Sequence, residues 1–268
     1  MTPRRAGRIA ASVTVSVVAL LAFGRGAAGW SWDVLLNGLL LTALLGAPLA
    51  GAAGILTYRW RTLTDAPDPE VARPGDRWIA AVRSELAAIE DPRERRHFAR
   101  AVVVVVVLRT LTARTWLRAA CVAVALALGL LAFSRARLGS GDGVALFTLF
   151  VPPLVFFAVG ALAARRLGSF SRGLVVTTAV AVLSAIAMLP VAATEAVQWY
   201  SQAGVTFLDG EAGAVDSASA AVLDTFNPVF IALHVLFWLP GPVLGAVLGA
   251  HARRRSRPSP DGGAGSAR

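Results

Sequence analysis

Long apolar stretches alternate with short polar segments along the chain, and this pattern predicts membrane-spanning helices. A helix needs roughly 20 mostly apolar residues to cross the hydrocarbon core of a bilayer. Five stretches reach or approach that length without a charge in the middle, and a shorter sixth lies near the N-terminus. We therefore predict an all-α, polytopic membrane helix bundle with about six transmembrane helices. The predicted spans are 9–23, 34–57, 117–134, 143–164, 173–194 and 228–250.

The first of these stretches also has the arrangement of a signal peptide. Three arginines, Arg4, Arg5 and Arg8, precede the apolar run, and small residues follow it up to Gly29. A basic segment, a short apolar segment and small residues are typical of a secretory signal. Two interpretations therefore stay open, a retained first helix and a cleaved, signal-like segment 1–29. Both predict the same topology for the rest of the chain.

The arginines orient the predicted spans. Basic residues concentrate in the cytoplasmic loops of membrane proteins. With a cytoplasmic N-terminus and six spans, 23 of the 26 arginines fall inside, and only Arg25, Arg135 and Arg137 fall outside. The segment 195–227 contains acidic residues and no arginine, as expected of an outer loop. We predict that both termini are cytoplasmic and that the protein lies in the bacterial cytoplasmic (inner) membrane, with an anionic inner leaflet as its surroundings.

Between the second and third predicted spans lies a long polar segment, 58–116, which we predict to be cytosolic. It begins with a proline-rich linker, and helical spacing of apolar residues follows from Asp76 to about Glu90. Asp91 as N-cap and Pro92 at the first helical position predict a second helix, and thus a helical hairpin. This second helix contains six consecutive valines, too few to cross a bilayer, so we expect them to cover lipid or a partner. The other predicted segments are 1–57 with two spans, 117–250 with four spans, and 251–268, a disordered basic tail.

Four arginines form a basic cluster at the start of the second hairpin helix: Arg93, Arg95, Arg96 and Arg100. Two interpretations remain open, attraction to anionic headgroups of the inner leaflet and docking of a cytosolic protein, an ATPase or a regulator. No nucleic-acid reader motif accompanies these arginines, so we expect no nucleic-acid partner.

The composition agrees with a membrane protein. Hydrophobic residues make up 56% and charged residues 16%, and the mean hydropathy is +0.64. This disfavours a soluble enzyme and a disordered chain. The chain has no lysine, which points to the GC-rich genome of a high-GC bacterium. The single cysteine, Cys121, excludes an internal disulfide and a thiolate metal cluster.

His234 is the clearest ionisable residue within a predicted span, and Trp238 follows at i+4 on the same helix face. Such a residue marks a candidate intramembrane polar site, although a neutral imidazole bonded to a neighbouring helix also fits. The other histidines lie outside the predicted spans, so no metal site is expected. Glu195 and Asp224 flank the last two spans, where they either approach each other or are simply solvated. We find no catalytic motif and expect no cofactor and no enzymatic activity.

Small residues at four-residue spacing predict two close-packing helix faces. One consists of Gly46, Ala50 and Gly54, and the other of Gly241, Gly245 and Gly249. Such faces let helix backbones approach closely. They pack against neighbouring helices of the same chain or against a second copy in a homodimer.

Two resemblances point to function. The hairpin, with Trp78, Glu85-Leu86, Ile89 and the run 91–96, resembles the cytosolic part of uncharacterised multi-pass membrane proteins of actinobacteria. The topology resembles that of ABC-2-type transporter permeases, which implies a cytosolic ATPase that contacts the first cytosolic loop. We therefore expect a permease-like transport subunit. The alternative is a non-transporting membrane anchor or regulatory protein whose hairpin binds a partner.

Overall fold

The computed structural model describes residues 2–24, 46–64, 77–138, 143–208, 210 and 212–255. In these residues ten α-helices are found, together with one isolated bridge between Val205 and Ala212. The prediction of an all-α protein is therefore confirmed for the described part of the chain. The helices are α1 (Pro3–Gly24), α2 (Ala47–Thr64), α3 (Arg77–Ala88), α4 (Pro92–Thr110), α5 (Ala113–Arg137), α6 (Ala145–Leu167), α7 (Phe170–Ala203), α8 (Ala218–Thr225), α9 (Pro228–Trp238) and α10 (Pro240–Arg255).

Four helical stretches in the described ranges are long and apolar enough to cross a membrane. They are α5, α6, α7 and the run Ala218–Arg253, which contains α8, α9 and most of α10. These stretches cover the last four predicted spans and fit a membrane protein. The number six remains a prediction. Its first span lies inside α1, and its second begins at residue 34, outside the described residues.

The chain divides into two compact units, Met1–Thr110 and Leu111–Arg268. The boundary follows α4, whereas the segments drawn from the sequence end at 57, 116 and 250. The first unit therefore combines α1 and α2 with the helical hairpin. The second unit contains all four span candidates of the described residues.

The segment 195–227, predicted as an outer loop, contains the end of one helix and a second short helix. Helix α7 continues to Ala203, and α8 occupies Ala218–Thr225. Within this continuation of α7, Glu195 is buried and paired with Arg135. It ends where Gly204 adopts a left-handed φ of 65°, which glycine does without a steric penalty.

Helix α10 continues to Arg255, so the first residues of the predicted tail 251–268 are helical. The guanidinium of Arg253 donates to the backbone carbonyls of Arg165 (3.3 Å) and Arg166 (2.9 Å) at the end of α6. Arg253, in the last turn of α10, thus caps the C-terminal end of α6. The predicted disorder of 256–268 lies outside the described residues.

In the first unit, α1 and α2 cross at a pair of glycines. A Cβ atom built on Gly7 would lie 2.8 Å from the carbonyl oxygen of Gly54, and one on Gly54 would lie 3.1 Å from that of Gly7. Ala50 on α2 is also buried. The small-residue face of α2 thus contacts α1 of the same chain at Gly54.

Helices α3 and α4 of this unit form a hairpin with a small core of its own. The side chain of Asp91 accepts a hydrogen bond of 2.8 Å from the backbone N–H of Arg93, which caps the start of α4. Val82, Leu86 and Ala99 are buried between the two helices. The predicted N-cap is therefore confirmed.

In the second unit, α6 and α10 pack through the predicted glycine face. A Cβ atom on any of the three glycines of α10 would clash with a backbone oxygen of α6. Successive glycines meet successive turns of α6, so the two helices run parallel and their backbones touch. This face is covered within the chain rather than open to a second copy. The pairs are Gly241 with Pro153, Gly245 with Phe157, and Gly249 with Ala161.

The span candidates alternate in direction. Ser134 near the end of α5 contacts Glu195 in the last third of α7, so these helices run parallel. Gly173 near the start of α7 lies against Ala164 near the end of α6, so these run antiparallel. The start of α5, the α6–α7 turn and the end of α10 therefore share one end of the unit. That end carries Arg114, Arg118, Arg165, Arg166, Arg172 and Arg253.

Residues 205–208 close the opposite end of this unit. All four are buried, and Phe207 packs edge-on against Trp199 with ring centroids 5.9 Å apart. The backbone N–H groups of Val144 and Ala145 donate to the carbonyls of Phe207 and Leu208, each at 3.1 Å. Because the first N–H groups of a helix have no acceptor inside it, this segment caps the start of α6.

Candidate functional site

A proline in α6 leaves one backbone carbonyl without its helical hydrogen-bond donor. A side chain from another helix donates to that carbonyl instead. Pro152 has no N–H, so the carbonyl of Thr148, four residues earlier, loses its normal helical partner. The indole Nε1–H of Trp238, at the end of α9, donates to this carbonyl at 2.8 Å. A bulky side chain from one span candidate thus completes the hydrogen bonding of another.

His234 contacts the same residue one turn earlier on α9. Its Nε2 lies 2.8 Å from the hydroxyl of Thr148, and its Nδ1 lies 2.7 Å from the carbonyl of Phe230. A carbonyl only accepts, so Nδ1 carries a proton in this arrangement. In the neutral ring Nε2 is then an acceptor, and the single proton of the Thr148 hydroxyl lies between this nitrogen and the Ala145 carbonyl oxygen, which is 3.0 Å from the hydroxyl. His234 is therefore bonded both to its own helix and to the neighbouring α6.

The helix that carries His234 and Trp238 is also interrupted by prolines. Pro240 and Pro242 follow Trp238 and remove two N–H groups, so the carbonyls of Leu236 and Trp238 lose their helical partners. Leu239, between α9 and α10, keeps helical dihedral angles (φ −61°, ψ −38°), so the chain stays helical while its hydrogen bonding is interrupted. Two proline-interrupted helices therefore touch beside their interruptions. We refer to Thr148, His234 and Trp238 as the proline junction.

Packing around the proline junction is tight. Trp238 stacks edge-on against Phe156 at 5.6 Å, and a Cβ atom on Gly241 would lie 2.5 Å from the carbonyl oxygen of Pro153. Thr148 is 5% exposed, so its hydroxyl has little access to solvent or lipid. The junction is thus a polar contact between apolar helices that is shielded from solvent and lipid. Its polar atoms rely on one another as hydrogen-bond partners.

Replacing Trp238 by phenylalanine tests this dependence. The ring contact with Phe156 is retained, but the Thr148 carbonyl loses its donor. We expect the free energy of unfolding to fall by about 1–2 kcal/mol, the cost of an unsatisfied buried polar group. Thermal unfolding in detergent measures the loss. Trp116→Phe, at a position that is 44% exposed, is the matched control, and an equal shift in both variants would contradict the role of Trp238.

A second buried polar cluster joins α5 to α7, at the end of the second unit that also contains the proline junction. Glu195 is only 1% exposed, and its carboxylate accepts from the Ser134 hydroxyl (2.6 Å) and the Arg135 guanidinium (2.6 Å). The indole N–H of Trp199 donates to the same Ser134 oxygen at 2.8 Å. The expectation that Glu195 is solvated was wrong, and its bonded partners lie on α5 rather than at Asp224. Because these groups satisfy each other, the cluster holds two helices together.

The basic cluster of the hairpin divides into two parts. The guanidinium of Arg95 donates to the carbonyl of Ile89, from Nε at 3.1 Å and from Nη2 at 2.6 Å. It therefore fastens the turn between α3 and α4. The side chains of Arg93, Arg96 and Arg100 are exposed. These three are the arginines that a surface contact can use.

The described residues contain no group of three or more histidine, cysteine or acidic side chains placed to hold a metal ion. Cys121 is exposed and unbridged. No protein-family model, curated protein or solved structure matches the chain. Among the described residues, the proline junction is the most distinctive polar arrangement.

Proposed function

We propose that the chain is a permease-like membrane subunit that works with a cytosolic ATPase and carries no catalytic site of its own. The observation that supports this is the proline junction, where two interrupted span candidates meet through polar side chains. Many secondary transporters build their substrate and coupling-ion sites from discontinuous helices. A helix interior without proline is more stable, so paired interruptions at one contact suggest a selected point of movement.

The movement would consist of a change in the angle between α9 and α10 while the glycine face holds α10 to α6. The Trp238 indole and the His234 ring would leave Thr148 and return to it. Each of these bonds is a discrete contact that is either made or broken, which suits a two-state gate. The Glu195 cluster, whose groups are mutually satisfied, would keep α5 and α7 fixed to each other while α9 moves.

The proposed orientation has both termini in the cytoplasm, across six spans of the bacterial cytoplasmic membrane. It is supported by the arginines at one end of the second unit and by the acidic residues Glu195, Asp216 and Asp224 towards the other. Reporter fusions at Arg166 and Arg255 should then show a cytoplasmic location, and fusions at Gly141 and Gly210 an external one. A cytoplasmic signal at Gly210 would contradict the six-span topology.

A second candidate function is a membrane anchor or regulator that does not transport. The hairpin favours it, because α3 and α4 have their own buried core at Val82, Leu86 and Ala99 and a capped turn. Such a self-contained element is suited to presenting a surface to a soluble partner. The acidic side chains Glu85 and Glu90 are exposed on and beside α3.

Purification of the tagged full chain in mild detergent separates the two functions. A permease-like subunit should retain a nucleotide-binding ATPase in a fixed stoichiometry, identified by mass spectrometry, and the preparation should hydrolyse ATP. Glu85→Lys and Glu90→Lys, on and beside α3, should weaken retention, whereas Glu94→Lys on α4 serves as the matched exposed control. A stable partner without ATPase activity, or no partner, would favour the anchor or regulator.

A further inference from the structure

One face of α4 changes character along its length. Arg93, Arg96 and Arg100 are exposed in its first half, at the three- and four-residue spacing that places side chains on one face. Val104 and Leu108 continue the same spacing in its second half and are 55% and 72% exposed. The exposed surface is therefore basic at one end and apolar at the other.

The opposite face of α4 is already occupied by the hairpin itself. Ala99 is fully buried against α3, and Phe98 and Val102 pack on the same core. Arg95 lies on this side, where it binds the Ile89 carbonyl. The valine run is thus divided, because only some of its members serve the hairpin and the others face outward.

A span candidate follows the apolar end of α4 after a short stretch of chain. Only Leu111 and Thr112 separate α4 from the first residue of α5. An extended chain covers at most about 3.6 Å per residue, so this link is too short to carry the end of α4 far from the start of α5. Leu108 is therefore joined to the first turn of α5 by a short length of chain.

We propose that α4 docks obliquely on the leaflet from which α5 enters the bilayer, with anionic lipid as its partner. Val104 and Leu108 reach the boundary between headgroups and acyl chains, and Arg93, Arg96 and Arg100 pair with headgroup phosphates. Interfacial helices combine apolar burial with basic residues in this way. This docking leaves α3 on the side away from the lipid, and it does not depend on the transport function.

An acidic protein surface would satisfy the arginines equally well, but it gives no reason for the apolar end. Lipid explains the apolar end, because the two-residue link to α5 keeps Val104 and Leu108 near a helix that enters the bilayer. A continuous lipid surface also accommodates a face that is basic at one end and apolar at the other. The arrangement therefore favours lipid over protein as the occupant.

Fluorescence quenching in nanodiscs tests the docking on the full chain. Single cysteines at Val104, Leu108 and Glu85 are introduced into a Cys121→Ala background and labelled with an environment-sensitive dye. In phosphatidylglycerol-containing discs, brominated lipid should quench the dye at Val104 and Leu108, and aqueous iodide should quench it at Glu85 on α3. Ala99 is unsuitable as a probe because it is buried in the hairpin.

The charge contribution is measured with Arg93→Gln, Arg96→Gln and Arg100→Gln in the Leu108 probe. Each arginine near an anionic surface changes the docked-to-undocked ratio roughly five-fold, so the triple variant should lower it on the order of a hundred-fold. Discs of phosphatidylcholine alone should produce a similar loss with the unchanged arginines. Circular dichroism confirms that the variant remains folded.

Three outcomes would overturn the proposal. Strong iodide quenching at Leu108 in anionic discs would show that the face is solvated. Protection of Leu108 from both iodide and brominated lipid would show that protein covers it. Equal docking with and without the three arginines would show that anionic lipid is not the partner.

Discussion

Replacing Gly249 by alanine is expected to separate α10 from α6 and to prevent the second unit from folding correctly. The new Cβ atom would clash with the backbone carbonyl of Ala161, and a backbone atom cannot rotate away as a side chain does. Gly245→Ala should act in the same way against Phe157. Overpacking of a core typically costs about 1–3 kcal/mol, and we expect the upper end or more here because backbone must move. Whole domains are stable by only about 5–15 kcal/mol.

Fluorescence-detected size-exclusion chromatography and thermal unfolding in detergent measure this loss. Gly129→Ala in α5 is the matched control, because its Cβ atom would meet only the ring tip of Phe147 at 3.3 Å. Alanine also has a higher helix propensity than glycine, so this control should be neutral or slightly stabilising. A monodisperse Gly249→Ala protein with an unchanged melting temperature would contradict the parallel packing of α6 and α10.

Replacing Arg135 by methionine is expected to destabilise the protein more than replacing Glu195 by glutamine. The arginine variant leaves a carboxylate that is 1% exposed without its cation, which costs about 3–5 kcal/mol in buried pairs. The glutamine variant removes the charge but keeps an oxygen that accepts from Ser134. Because Arg135 itself is 46% exposed, water can solvate it when its partner is neutral.

The double variant is the sharper test. Glu195→Gln added to Arg135→Met removes the unpaired charge, so the pair of substitutions should cost less than Arg135→Met alone. Such non-additivity is expected for residues that are in contact or belong to one hydrogen-bond or salt-bridge network. Chemical or thermal unfolding of the four proteins in the same detergent measures it. Additive losses would mean that the two side chains do not interact in the membrane.

The His234 and Trp238 pair was accessible from the sequence because i+4 spacing on a helix fixes a common face. Their partner was harder to find, although Pro152 marks it, since a proline always frees the carbonyl four residues earlier. The glycine faces were likewise visible, because close packing requires small residues at one-turn spacing whichever helix lies opposite. The sequence did not reveal that the Gly241 to Gly249 face is covered by α6, since this depends on which span lies beside it.

Glu195 escaped prediction for a different reason. Hydropathy treats a glutamate as the end of a span, but its true cost depends on pairing, and its arginine lies 60 residues away in the sequence. The hairpin arginines were also difficult to interpret, because one of them has a structural role among others that are exposed. Nothing in the residue pattern separates Arg95, which caps the Ile89 carbonyl, from the exposed arginines around it. Only the folded turn distinguishes a structural cation from a surface one.

The proposal that the proline junction is a point of movement is tested most directly by a distance across it. Spin labels at Val229 on α9 and Leu248 on α10, which are 54% and 52% exposed, lie on opposite sides of the interruption at Leu239. The labels are placed in a Cys121→Ala background, and the distance is measured by double electron–electron resonance in the complex purified with its ATPase.

We predict two distance populations whose ratio changes with ATP or a non-hydrolysable analogue, with centres on the order of 5 Å apart, about one helical turn. Thr148→Val, which removes the hydroxyl partner of His234, should shift the ratio without nucleotide. A single distance that is identical with and without nucleotide, in a complex that is hydrolysing ATP, would contradict the proposal that the junction moves.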